Sequence, residues 1–187
     1  MRSRSDLRHG PPSPGRRRAL ALLFALAAPA GLAQDLNEAR VKVRLALSLA
    51  RFTQWPAGAF GAADDALNVC VAERNDVLAS AFREIAGQSV NGRPLRLVAP
   101  APAQAGGCHL LFVHASAGTA GLVLADAVAG RPVLTIGDVD GFAARRGMVE
   151  LVNVNDAIRM DVNLAAIRSG QLELSSRVLQ LARRVRE

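Results

Sequence analysis

The run Leu110-Leu111-Phe112-Val113, entered through Cys108-His109, is apolar at every successive position. A strand with one wet face would alternate apolar and polar residues. This one is therefore expected to be buried on both faces, the mark of a parallel sheet covered by helices.

The segments around it alternate to match. Residues 67–72 read as a strand, Asn75 is placed to cap a helix over residues 76–86, and Gly87 ends that helix. Asn91-Gly92 marks a turn before a strand over residues 94–98, and a Pro/Ala/Gly-rich loop over residues 99–107 leads into the apolar run. Ser116 is placed to cap a helix reaching about residue 129, and residues 131–137 form the next strand. Residues 148–153 and 157–162 flank Val154-Asn155-Asp156 and predict an antiparallel hairpin at one sheet edge. Upstream, Val41, Leu45, Leu49 and Phe52 predict an amphipathic helix over residues 36–52, which Pro56 stops. Downstream follow a short helix over residues 164–169, a link, and an amphipathic helix from Ser175 bearing Val178, Leu179, Leu181, Ala182 and Val185. The expected fold is a single α/β domain, a mostly parallel sheet with helices on both faces and an antiparallel edge hairpin.

Residues 1–33 stand apart. Arg2, Arg4, Arg8, Arg16, Arg17 and Arg18 precede an apolar stretch over residues 19–28, and Gly31-Leu32-Ala33 supplies the small residues a signal peptidase reads. Cleavage is expected after Ala33, leaving a domain over residues 34–187, with Ala28-Pro29-Ala30 as an earlier alternative site. The uncharged run over residues 19–33 is 15 residues long, shorter than the ~20 a membrane-spanning helix needs. The expected location is periplasmic, and the chain after cleavage is not expected to be membrane-inserted. Six arginines and one acid leave with the leader, so the formal net charge falls from +7 to +2. The remaining basic pairs, Arg145-Arg146 and Arg183-Arg184, have few aromatics among them, so nucleic acid is not an expected partner.

Cys70 and Cys108, an even count in an exported chain, predict a disulfide, with two buried thiols as the alternative. Catalytic constellations are missing from the sequence: it has no Gly-x-Ser-x-Gly elbow, phosphate loop, His-Glu-x-x-His or dinucleotide fingerprint. His109 and His114 are spaced so that their rings point to opposite faces, so no metal site is expected and His109 reads as a packed side chain. A Cys108-His109 thiolate couple would need a free thiol. No enzyme activity and no cofactor are expected.

Two polar groups remain. Asp138-Val139-Asp140-Gly141 follows a strand at its carboxyl end, where open α/β sheets bind ligands, and its acids are expected to cap a short helix over residues 141–145. In Arg159-Met160-Asp161-Val162-Asn163, the residues Arg159, Asp161 and Asn163 share one strand face. With Ile167 just beyond, this edge is expected to be a solvated face or a docking surface, with Arg159, Asp161 and Ile167 as the partner-binding residues. Trp55 is expected to pack with Phe52 and Phe60 in the core.

Several ordered segments resemble the YfiR family: Phe52-Thr53-Gln54-Trp55-Pro56, Leu67-Asn68-Val69-Cys70-Val71, Val90-Asn91-Gly92-Arg93-Pro94-Leu95, Cys108-His109-Leu110-Leu111-Phe112, Val133-Leu134-Thr135-Ile136-Gly137-Asp138, Arg145-Arg146-Gly147-Met148-Val149, Ile158-Arg159-Met160-Asp161-Val162-Asn163-Leu164 and Ser175-Ser176-Arg177-Val178-Leu179-Gln180-Leu181-Ala182. The resemblance implies a periplasmic repressor that binds the periplasmic sensing part of an inner-membrane diguanylate cyclase and so controls cyclic di-GMP and biofilm formation. It also implies a family disulfide that maps onto Cys70 and Cys108, and a homodimer is expected. A second family cysteine pair, near Ala144 and Glu150, is missing here. The competing expectation is a small-molecule sensor with its crevice near Asp138, feeding another signalling partner.

Overall fold

The computed structural model describes residues 30–61, 65–101 and 107–187. The expected leader lies outside the described residues up to residue 29, as does the middle of the Pro/Ala/Gly-rich loop, residues 102–106.

Helices α1 (Ala30–Arg51), α2 (Asp76–Arg83), α3 (Gly118–Ala127), α4 (Phe142–Arg145), α5 (Leu164–Ser169) and α6 (Ser176–Leu181) are interleaved with ten strands. The strands are β1 (Thr53–Gln54), β2 (Leu67–Ala72), β3 (Ser89–Val90), β4 (Arg93–Val98), β5 (Leu110–Val113), β6 (Leu134–Gly137), β7 (Val149–Val154), β8 (Ala157–Asn163), β9 (Glu173–Leu174) and β10 (Arg184–Arg186). Eight of them form one sheet in the order β10-β8-β7-β6-β5-β2-β4-β3. Only the β8/β7 and β4/β3 pairs are antiparallel. β1 and β9 make a separate two-stranded antiparallel sheet. The expected α/β fold is thus the one found.

Alternation along the central strands explains the two cores. Leu110 and Phe112 point to the side packed by α1 and α2, whereas Leu111 and Val113 point to the side packed by α3 and α4. All four residues of β5 are buried, as a strand covered on both faces must be. Asn75 caps α2 as expected, accepting from the Leu78 N–H at 3.0 Å. Phe142 of α4 is held in a slot: a Cβ on Gly147 would lie 2.1 Å from its ring, and one on Gly137 would lie 2.9 Å away. Only glycine leaves room for the ring at both places.

Four local expectations are corrected. The buried stripe of α1 is Ala39, Val43, Ala46, Leu49 and Ala50, while Val41 and Leu45 flank it and Phe52 is 42% exposed. The turn before α3 is capped by the His114 ring, not by Ser116: His114 Nδ1 accepts the Ser116 N–H, while Ser116 Oγ accepts from the Arg74 N–H. The β7–β8 hairpin turns at Asn155-Asp156, both with positive φ, but it is not the sheet edge, because β10 lies outside it. Finally, the helix from Ser175 stops at Leu181, and the chain then runs as β10 parallel to β8.

Candidate functional site

At the head of the sheet, Cys70 of β2 and Cys108, just before β5, are joined in a disulfide, and both are buried. Among the described residues no cysteine is free. His109 faces the other core. Its Nδ1 accepts the Asn68 N–H at 2.9 Å, and its Nε2 donates to the Ala59 carbonyl at 3.1 Å. Phe60 stacks on it at 4.2 Å, Trp55 meets Phe60 edge-on at 5.8 Å, and the Arg93 guanidinium lies 3.8 Å over the Phe60 ring. Burial, helped by the nearby Arg93 charge, pushes the His109 pKa down and keeps the ring neutral. Among the described residues, no group of acids, histidines and cysteines is arranged to hold a metal.

The carboxyl ends of β5 and β6 hold an ion cluster instead of a cap. Asp138 accepts from Lys42 Nζ at 2.6 Å and from the Ala115 N–H at 2.8 Å, and His114 Nε2 lies 3.5 Å away. Because His114 Nδ1 accepts from Ser116, the neutral ring carries its proton on Nε2, facing the carboxylate. Burial alone would lower the Lys42 pKa, but its bonds to Asp138 and Glu38 carry it above the ordinary value. The cluster thereby fastens α1 to the end of the sheet. The adjoining cavity is about 170 Å³, lined by Asp35, Glu38, Lys42, Asn75 and His114 among others, smaller than the ~300–1,000 Å³ usual for small-molecule sites. The expected capping role for Asp138 is corrected: Gly141 stands at the cap position of α4, with no side-chain cap bond. Glu150 reaches across from β7 to take the Gly141 and Ala143 N–H groups at 2.9 and 3.0 Å.

The third group is at the β8–β10 edge. Arg159 is exposed, but Asp161 and Ile167 are each only 2% exposed, so the expectation that all three share an outer surface is corrected. Asp161 takes a two-pronged bond from Arg183, Nε at 2.8 Å and Nη2 at 2.6 Å. That bond holds the Asp161 carboxyl below the usual range. Asn163 caps α5 by accepting from the Ala166 N–H and donates to the Ala143 carbonyl. Ile167 enters the main core, because α5 turns that side inward. Arg183, Lys42 and Glu150 were not singled out as site residues in the sequence. The one cue was the basic pair Arg183-Arg184, which in the sequence serves only to argue against nucleic acid.

The structure is thus an open, mostly parallel α/β domain fastened by a disulfide and by ion pairs at both ends of the sheet. The chain belongs to the YfiR/HmsC-like family (DUF4154), whose sequence profile matches residues 39–183. This is a family of periplasmic regulators. The fold is also similar to an ABC domain from Streptococcus pneumonia solved with L-Trp, at 10% identity and a TM-score of 0.51, over 79% of this chain and 60% of that one. A conserved domain protein from Vibrio cholerae O1 biovar eltor aligns at 12% identity and a TM-score of 0.49, again over 79% and 60% of the two chains. The chain therefore spans about 60% of the length of these solved chains. No curated protein matches it. Among the described residues no helix is long and apolar enough to cross a membrane.

Proposed function

We propose that this chain represses an inner-membrane diguanylate cyclase by binding its periplasmic sensing part through the β8–β10 edge, and so limits cyclic di-GMP and biofilm. The observation that carries this reading is a clamp within an exposed polar surface: the buried Asp161 and the exposed Arg183 fix the two strands, and Arg159 stands out from them. A rigid edge with exposed charge suits a reversible interface. In this reading Asp161 and Ile167 act from beneath, holding the surface in shape. The working unit is a homodimer, and residues 1–33 are removed on export.

The test is co-purification from solubilised inner membrane with the exported chain as bait. Arg159→Glu should keep the wild-type melting curve, release the cyclase and raise cyclic di-GMP. A normally folded Arg159→Glu protein that still retains the cyclase and holds cyclic di-GMP low would remove this surface from the interface. N-terminal sequencing should begin at Gln34, and sedimentation should give twice the chain mass.

A further inference from the structure

The β8 strand is seven residues long, but β10 is registered only against Asp161, Val162 and Asn163. Two hydrogen bonds show which way its backbone points. The Asn163 N–H donates to the Met148 carbonyl on the β7 side, whereas the Met160 carbonyl accepts from the Arg183 N–H on the β10 side. Backbone groups alternate along an antiparallel ladder, so those of Ile158, like those of Met160 and Val162, point away from β7. No strand among the described residues pairs with β8 ahead of Arg184 on that side. The Ile158 N–H and carbonyl therefore face an open half of the edge.

The charges around this half-edge are mostly positive, although the exposed Asp156 stands at the hairpin turn beside it. Arg159, Arg184 and Arg186 are all exposed, and none makes an ion pair among the described residues. Two of the nearby acids are already committed, Asp161 to Arg183 and Glu187 to Arg168. Leu181, 75% exposed, and Val185, 40% exposed, add apolar surface beside the arginines. A second copy of the chain meeting this edge in the same way would set arginine against arginine, which disfavours pairing. An extended segment bearing carboxylates would gain both backbone bonds and opposite charges.

We propose that the open half of β8 receives an extended acidic segment of the regulatory partner by strand addition, with Arg159, Arg184 and Arg186 selecting its charge. The inference rests on the docking reading above and names the chemistry of what docks.

The experiment uses the purified exported chain and two capped synthetic peptides of about eight residues, the length of an ordinary strand, one alternating Glu with Val and the other Lys with Val. The Glu/Val peptide should bind and slow amide exchange at Ile158, and the Lys/Val peptide should do neither. Raising salt from about 0.05 to 0.5 M should weaken the binding about tenfold. The combined variant Arg159→Glu, Arg184→Glu, Arg186→Glu should invert the preference. The same three positions changed to Gln should lose binding of the acidic peptide without gaining the basic one, which guards against misfolding of the charge-reversed protein. Unchanged Ile158 exchange at saturating Glu/Val peptide, or equal binding of both peptides, overturns the proposal. If the acidic peptide protects Ile158 but no cyclase co-purifies, the strand-addition site stands and the cyclase reading fails. If the cyclase co-purifies equally with wild type and the Gln variant while neither peptide protects Ile158, the strand-addition site fails and the cyclase reading survives.

Discussion

At the scale of single residues, contacts made within a few positions were legible and those completed from afar were not. Asn75 announces its cap because the N–H it accepts lies three residues on. Asp138 does not, because its main partner, Lys42, lies 96 residues away. The same holds for Asp161, whose alternation placed it on the polar face of β8 but whose partner, Arg183, lies 22 positions on. Asp161→Arg sets a cation against Arg183 in a buried place and should cost about 3 kcal/mol or more. Ile167→Glu buries a charge in the main core and should be at least as costly, so both variants should show lowered melting temperatures and reduced levels. Melting curves at the wild-type position for both would show that these side chains can swing out to solvent. His109 gives a pH effect. Its folded pKa lies below its ordinary value of 6.5, so its contribution is complete above that value and declines as pH falls from there through the folded value. Protonating Nδ1 would also put a proton against the Asn68 N–H it now accepts. The melting temperature should therefore fall between pH 7.5 and 5, and His109→Gln should flatten the slope. Asp161 adds nothing in that window: its carboxyl is depressed below 3.8, so its contribution is lost only in stronger acid.

At the scale of elements, periodicity found α1 but misplaced its face. Counting the large apolar side chains pointed to Val41 and Leu45, whereas the helix lies against the sheet on Ala39, Val43, Ala46 and Ala50. Small residues let a helix axis come close to its neighbour, and alanine carries little weight in a hydrophobic count. Ala46→Leu should then be destabilising by about 1–3 kcal/mol through overpacking, and a denaturation midpoint equal to wild type would show slack beneath α1. The C-terminal error has a different cause. Val178, Leu179, Leu181, Ala182 and Val185 fit a helical stripe, but the parallel place beside β8 was available and the chain extends into it after Leu181. A tertiary partner outweighed a local preference over a few residues.

At the scale of the whole molecule, the doubly wound arrangement was legible because the apolar run of β5 permits few alternatives and helices alternate with strands along most of the chain. The small β1–β9 sheet was not, since each strand has two residues and their pairing joins positions more than a hundred apart. The Cys70–Cys108 bond spans 38 positions, and in the chain-entropy account closing a loop of that size contributes about 4 kcal/mol. Cys70→Ser should lower the melting temperature sharply, and a variant as stable as wild type would show that the bond adds nothing to folding. The bond also makes the stretch from Cys70 to Cys108, which carries α2, β3 and β4, into a covalent ring. A protease that nicks the ring once leaves both pieces attached, so the damaged protein runs as one band on a non-reducing gel and as two after reduction. With β2 and β5 still tethered side by side at the centre of the sheet, a cut that would release half of an uncrosslinked protein leaves this one a single molecule.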